Sequence, residues 1–282
     1  MQTSFEISVV IPNYNRATLL INAIESALTQ TYPVLEILVC DDGSTDNSKE
    51  LVKNLNNPKV KWIDCGKNGR PAIPRNIGIK QSKGNWIAFL DNDDEWLNTK
   101  IYEQVKLIQN TNYLAVSCNA YNINNANDNK NLLLKYTNPE ITFTDLIKEN
   151  NIICSSVLIN KKLLIDNRFF PEAIEFKAIE DYVLWLCLSS KINFAYIDKP
   201  LLNYLNDSQN SIRKNNSDPY TVFEIAFTEL ENWMEQKNIF LTKDQKQNYS
   251  KAKKNVKKRG IPSNWEEFIR KVNFKINKFI KN

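Results

Sequence analysis

Three clusters of carboxylates hold most of the chemistry this chain can offer: Asp41-Asp42, Asp91-Asn92-Asp93-Asp94 and Glu180-Asp181. Histidine is absent from all 282 residues. That excludes Ser-His-Asp and Cys-His nucleophile systems, His-ligated zinc and imidazole acid–base chemistry. Catalysis must then run on carboxylates, a bound metal, Lys, Tyr or Cys. Asp41-Asp42-Gly43 taken alone reads equally well as a turn, because Asp and Gly suit loops. Two acidic clusters arriving at one edge of a sheet favour a site.

The order of apolar runs says which edge that is. Residues 7–11 form a strand that is apolar but for Ser8, followed by a polar turn at 13–18. Leu20, Ala23, Ile24, Ala27 and Leu28 then recur at helical spacing. Residues 35–40 form a second buried strand, closed by Asp41-Asp42-Gly43-Ser44. A helix over 45–55 follows, with Ser44 as its N-cap. Residues 60–63 are a third strand, 66–74 a loop, 75–81 a short helix, and 86–90 a fourth strand that runs into Asp91–Asp94, with Asp94 capping the next segment. A helix at 100–109, strands at 115–118 and 152–159, a helix at 180–190 and strands at 196–198 and 201–204 complete the pattern. This alternation predicts an α/β fold with a mostly parallel central sheet flanked by helices. Ligands of such sheets bind beyond the carboxyl ends of the strands, where the acidic clusters fall.

The motifs Ser8-Val-Val-Ile-Pro-Asn-Tyr-Asn15, Gln30-Thr-Tyr-Pro, Val39-Cys-Asp-Asp-Gly-Ser-Thr-Asp46, Pro74-Arg-Asn-Ile-Gly78, Trp86-Ile-Ala-Phe-Leu-Asp-Asn-Asp-Asp94 and Glu180-Asp181 occur in that order. Together they resemble the inverting glycosyltransferases of family 2, which have the GT-A, Rossmann-like fold. The resemblance covers roughly residues 5–205. It implies a GT-A domain at 1–205, with a nucleotide-sugar-binding half (1–100) and an acceptor half (101–205). A connector with helices (206–250) and a basic tail (251–282) form a helical C-terminal extension.

The resemblance implies a nucleotide-sugar donor, usually UDP-linked, a divalent cation, Mn2+ or Mg2+, and single displacement with inversion at the anomeric carbon. It places Pro12, Tyr14, Asn15, Asp41, Asp42, Arg75, Asp91 and Asn92 around the nucleotide-sugar. Tyr14 would stack on uracil or simply pack; Asp42 would accept from the uracil N3–H, with Asp41 lining the same pocket. Asp91-Asn92-Asp93 matches the family's DxD motif, whose hard oxygens suit Mn2+ or Mg2+. Asp93 is the implied direct metal ligand and Asp91 a ribose contact or a residue behind the metal. Arg75 either supports the pyrophosphate or pairs with the aspartates beneath it. Glu180-Asp181 matches the catalytic acidic pair, with Asp181 as general base. Relatives often place a His after the last strand; here the stretch is Tyr204-Leu-Asn-Asp-Ser208, and Asp207 or water takes that place.

Charge is divided unevenly. The chain carries 37 Lys/Arg and 32 Asp/Glu, a net charge of +5. Residues 251–282 hold 11 basic and 2 acidic groups, which leaves the rest at −4. Beyond Ser263, apolar residues from Trp265 to Ile280 form a helical stripe beside lysines and arginines, suited to an anionic membrane surface or to docking on the domain or a second subunit. The acidic body argues against nucleic acid as a partner. The first fifteen residues lack the basic and long apolar segments of a secretory leader. Five scattered cysteines without a CxxC read as buried thiols. The expected location is cytoplasmic, with peripheral attachment to the inner face of the plasma membrane if the tail binds lipid. The function expected is transfer of a sugar from a UDP-sugar to a glycan or lipid-linked saccharide in bacterial cell-surface polysaccharide or lipooligosaccharide synthesis. The alternatives are a nucleotide-sugar nucleotidyltransferase or a non-catalytic carbohydrate-binding scaffold.

Overall fold

The computed structural model describes residues 5–124, 127–206 and 219–258. The chain divides into two compact units, residues 1–215 and 216–282. The first unit runs β1 (Ile7–Asn13), α1 (Ala17–Leu28), β2 (Glu36–Asp41), α2 (Ser48–Asn54), β3 (Val60–Asp64), α3 (Ala72–Gln81), β4 (Trp86–Phe89), β5 (Glu95–Trp96) and α4 (Lys100–Gln109). It continues with β6 (Ala115–Asn124), β7 (Asn127–Leu132), β8 (Glu140–Ile141), α5 (Phe143–Leu146), β9 (Leu158–Asn160), α6 (Lys161–Asp166), α7 (Glu180–Ser189) and β10 (Phe194–Leu205). Among the described residues ten strands make one sheet, ordered β3-β2-β1-β4-β9-β6-β10-β5, with β7 on β6 and β8 on β10.

Strands β3, β2, β1 and β4 are parallel neighbours. All seven residues of β1 are buried, as a parallel strand covered on both faces requires. On one face Ile7, Val9 and Ile11 join Leu20 and Ile24 of α1 and Ile101, Val105 and Ile108 of α4 in one core. On the other face α3 lies so close that a Cβ on Gly78 would fall 2.6 Å from Val10 Cγ1 and 2.8 Å from Cys40 Sγ. All ten residues of α7 are buried, consistent with a helix that is apolar on nearly every side. Its Trp185 ring sits 5.7 to 6.0 Å from those of Phe170, Phe194 and Phe89.

Several expected boundaries shift for local reasons. The run 152–159 is not one strand. Ser156 Oγ donates to the Ile153 carbonyl at 2.7 Å, and the chain forms a 3-10 turn at Cys154–Ser156 before the short β9. β9 then joins β4 to β6 antiparallel to both. The two strands expected at 196–198 and 201–204 are the single strand β10, with register shifts on either side of Pro200. The helix after β2 begins at Ser48 rather than Thr45. Ser44 does not cap it; its hydroxyl turns back to Asp41 Oδ1 at 2.5 Å. Asp46 instead accepts from Ser48 N–H at 3.1 Å and Ser48 Oγ at 2.6 Å.

In the second unit, α8 (Pro219–Gln236) and α9 (Lys243–Lys258) pack through Phe227 and Tyr249, 5.1 Å apart, and through a Glu231–Lys253 ion pair. The charged run from Lys251 to Lys258 therefore continues a helix that starts at Lys243. The amphipathic stretch expected beyond Ser263 lies outside the described residues. No helix of the described residues is long and apolar enough to cross a membrane. Cys40, Cys118, Cys154 and Cys187 are buried free thiols; Cys65 is only half-buried.

Candidate active site

The parallel topology puts the ends of β2, β1 and β4 side by side, and a cavity of about 910 Å3 opens there. Pro12, Tyr14, Asn15, Asp42, Arg75, Asp91, Asn92, Asp93, Glu180 and Asp181 all line it. Of the donor-binding, metal and catalytic residues expected from sequence, only Asp41 does not.

Asp41 and Asp42 separate because consecutive residues at a strand end face opposite ways. Asp41 Oδ1 accepts from Asn13 Nδ2 at 2.9 Å and from Ser44 Oγ. Its Oδ2 accepts the Gly43 and Ser44 amides at 3.1 and 2.8 Å. The carboxylate thus clasps the turn in which Gly43 takes a φ of 81°, a conformation that suits glycine. The expectation that Asp41 lines the pocket is corrected by this geometry. Asp42 reaches the cavity, where its two oxygens each accept an amide of the next loop, Asn68 and Gly69, both at 2.7 Å. Asn15 clasps the same turn from the other side, accepting the Thr45 amide at 2.7 Å. Tyr14 is left 46% exposed, a ring on the cavity wall with much of its area open to a ligand.

The β4 end is held from three directions. Asn92 Nδ2 donates to Asn13 Oδ1 at 2.8 Å, tying it to β1. Asp91 N–H donates to Ser155 Oγ at 3.0 Å, and that hydroxyl donates to Asp94 Oδ2 at 2.5 Å. Asp94 Oδ1 accepts the Leu205 amide at 3.0 Å. Asp94 is therefore not a helix cap but a buried strut between β4, the 3-10 turn and the end of β10. Burial first, then the neighbouring Asp93 and Asp91, push its carboxyl well above the usual range. Nothing local in the sequence pointed to Ser155; the polar Asn13 inside the Pro-Asn-Tyr-Asn motif was the available signal for the Asn13–Asn92 link.

Arg75 joins the two acidic centres. Its Nη2 lies 2.6 Å from Asp91 Oδ1 and its Nη1 2.7 Å from Glu180 Oε1. Burial opposes the guanidinium's charge, but Asp91 and Glu180 outweigh it and hold Arg75 protonated. Of the two roles open to Arg75, the structure displays the pairing. Asn76, next in the motif, anchors the loop before α7: it donates to the Phe170 carbonyl at 2.9 Å and to Glu172 Oε1 at 2.8 Å. Two residues before α7, Ala178 takes a φ of 71°, a strained conformation for a residue with a Cβ.

Glu180 and Asp181 occupy the first turn of α7, where the helix N-terminus favours negative charge. Burial raises the Glu180 carboxyl above its usual range against the pull of Arg75. Among the described residues Glu180 Oε2 and Arg75 Nε are buried without a partner. Asp181 Oδ1 accepts the Tyr182 amide at 2.7 Å, and its Oδ2 has no hydrogen-bond partner among the described residues.

Asp93 forms an ion pair with Arg16 at 3.2 Å, a contact the sequence did not announce. Among the described residues no three His, Cys, Asp or Glu converge as a metal centre. Asp91 and Asp93 still suit a hard divalent cation that takes few protein oxygens and completes its shell from substrate phosphates and water. Asn206 lines the cavity at the end of β10; Asp207 lies outside the described residues.

Comparison with known proteins identifies relatives of the chain. The pattern of Glycosyl transferase family 2 matches residues 8–168. An uncharacterized glycosyltransferase of Rickettsia felis is 36% identical over 196 residues, 70% of this chain and 32% of that protein. The chain thus spans about a third of that relative's length. WfaP of Escherichia coli, a UDP-Glc:alpha-D-GlcNAc-diphosphoundecaprenol beta-1,3-glucosyltransferase, is 34% identical over 188 residues, 66% of this chain and 70% of that protein. In fold, the chain is similar to S. aureus TarS 1–349 in complex with UDP-GlcNAc, with a TM-score of 0.68 at 22% identity, covering 88% of this chain and 71% of that one. By the extent of these matches, and with its acidic clusters gathered at the carboxyl edge of a parallel sheet, the chain belongs to glycosyl transferase family 2.

Proposed function

We propose that this protein is an inverting glycosyltransferase that moves a sugar from a UDP-sugar to a hydroxyl of a lipid-linked saccharide. The observation that carries the reading is the Arg75 bridge, which makes Asp91 on the donor side and Glu180 on the acceptor side parts of one site. Tyr14 and Asp42 are proposed to hold uracil, the ring by stacking and the carboxylate by accepting N3–H. Asp93, with Asp91 behind it, would hold Mn2+ or Mg2+, which when bound neutralises charge on the departing diphosphate. Asp181 takes the proton of the acceptor hydroxyl as that oxygen bonds to the anomeric carbon. The bond from that carbon to the UDP oxygen breaks on the opposite face, and UDP leaves with the electron pair. Glu180, held by Arg75, positions the first turn of α7.

The diphosphoundecaprenol-linked acceptor of WfaP and the UDP-GlcNAc of TarS support the choice of substrates. The +9 tail supports placement at an anionic membrane, where such acceptors reside. Loss of binding to anionic liposomes on removal of residues 251–282 is the expected result. A panel of UDP-sugars with Mn2+ and a diphospholipid-linked monosaccharide tests the reaction: one donor should give UDP release and an elongated lipid. Binding of saccharide without turnover of any donor would favour the scaffold instead.

A further inference from the structure

The turn between β1 and α1 carries a guanidinium that the proposed reaction does not use. Arg16 Nη1 lies 3.2 Å from Asp93 Oδ2, with the two side chains 20% and 27% exposed, and both residues line the cavity. The root of Arg16 is fixed. Its carbonyl accepts the Leu20 amide at 2.9 Å, and the next amide, Ala17, donates to Asp46 Oδ2 at 3.1 Å. Arg75, by contrast, is buried between Asp91 and Glu180.

Arg16 and a divalent cation compete for the same carboxylate. Two positive charges on one carboxylate repel at short range, so a cation held by Asp93 would weaken the hold of Asp93 on the guanidinium. A guanidinium presents a planar fork of N–H donors that matches phosphate oxygens two at a time. A nucleoside diphosphate reaching from Tyr14 to Asp93 would bring such oxygens to this turn, where Arg16 directly follows Asn15.

We infer that Arg16 is an exchangeable counter-ion, neutralising Asp93 before the donor binds and moving to the donor's diphosphate when a divalent cation takes Asp93. This rests on the donor and cation proposed above. In the donor-free protein Arg16 competes with the cation; in the loaded protein it adds positive charge beside the leaving group. Its removal therefore acts in opposite directions on the two ligands, which a purely structural residue would not do.

The test compares the full chain with Arg16→Gln and Arg16→Lys. Mn2+ alone is titrated by the EPR signal of the free ion, and UDP is titrated calorimetrically at saturating Mn2+. Arg16→Gln should bind Mn2+ up to about fivefold more tightly, the scale of a partly exposed ion pair removed. It should bind UDP about tenfold or more weakly, the scale of one charge-assisted hydrogen bond. Arg16→Lys keeps the charge without the fork; it should bind Mn2+ like the wild type and UDP several-fold more weakly, and it carries the test if Arg16→Gln does not fold. Unchanged UDP affinity in the variants, or weaker Mn2+ binding by Arg16→Gln, overturns the inference while leaving the donor assignment intact. A wild-type protein that binds Mn2+ but no UDP overturns the donor assignment and the inference with it.

Discussion

Glu180 Oε1 and Arg75 Nη1 meet at 2.7 Å across 105 positions of sequence, and each side chain is 5% exposed. The pair fixes where α7 begins relative to α3, and through Asp91 it fixes α7 relative to β4.

Arg75→Leu takes away the guanidinium that faces Glu180 and leaves a buried carboxyl uncompensated. Removing one partner from a buried pair costs about 3–5 kcal/mol. Urea unfolding should show a fall in stability of that order, and Glu180→Gln introduced with it should recover part. A fall below about 1 kcal/mol, far from the buried-pair range, would mean the pair is not holding the elements together.

Asp181→Asn keeps the shape and the acceptor for the Tyr182 amide but cannot take a proton. Turnover should fall about 10²- to 10⁴-fold, the usual contribution of a general base, while UDP affinity stays near the wild-type value. Near-normal turnover would assign the proton to another group.

Lys100 is fully buried; its Nζ donates to Gln104 Oε1 at 2.9 Å and stands 4.2 Å from the Trp96 ring centre. Burial lowers its pKa from 10.5 to about 8. Between those values the unfolded chain holds a proton the native one has released, so this group makes stability rise with pH. Below about pH 8 both states are protonated and the cost of the buried charge is fully present. The stability of the wild type relative to Lys100→Met should therefore increase from about pH 7.5 to about pH 10. Equal differences at the two pH values, measured by urea unfolding, would contradict the assignment.

Gly78→Ala would press a methyl of α3 against Val10 and Cys40 of the sheet. Overpacking of this kind costs about 1–3 kcal/mol. A fall in urea stability of that size is expected, with UDP affinity lowered only in so far as Arg75 moves with the helix. The glycine of the Pro-Arg-Asn-Ile-Gly motif is there for packing, whereas Arg75 and Asn76 are there for polar contacts.

Much of the architecture is legible in local pattern. Residues 7–11 read as a buried parallel strand because all but Ser8 are apolar, and the strand runs on to Asn13. The clusters Asp41-Asp42 and Asp91–Asp94 follow strands directly, so their arrival at one edge follows from the alternation of strand and helix. What local pattern misreads are the places where a side chain competes with the backbone. Ser156 breaks the strand expected at 152–159, and Asp46 rather than Ser44 meets the start of α2.

Composition and periodicity act over a few residues, and they suffice to set which residue types stand at the ends of β1, β2 and β4 and at the start of α7. What each carboxylate does there is assigned by the folded chain. Asp41 and Asp42 are neighbours of identical chemistry, yet strand alternation sends one into a turn clasp and the other into the cavity. Arg16 on Asp93, Arg75 on Asp91 and Glu180, and Ser155 on Asp94 join positions 16 to 105 residues apart. Such pairs depend on sheet order and on burial, which strengthens the attraction and excludes water, and neither is written in any one stretch of the chain.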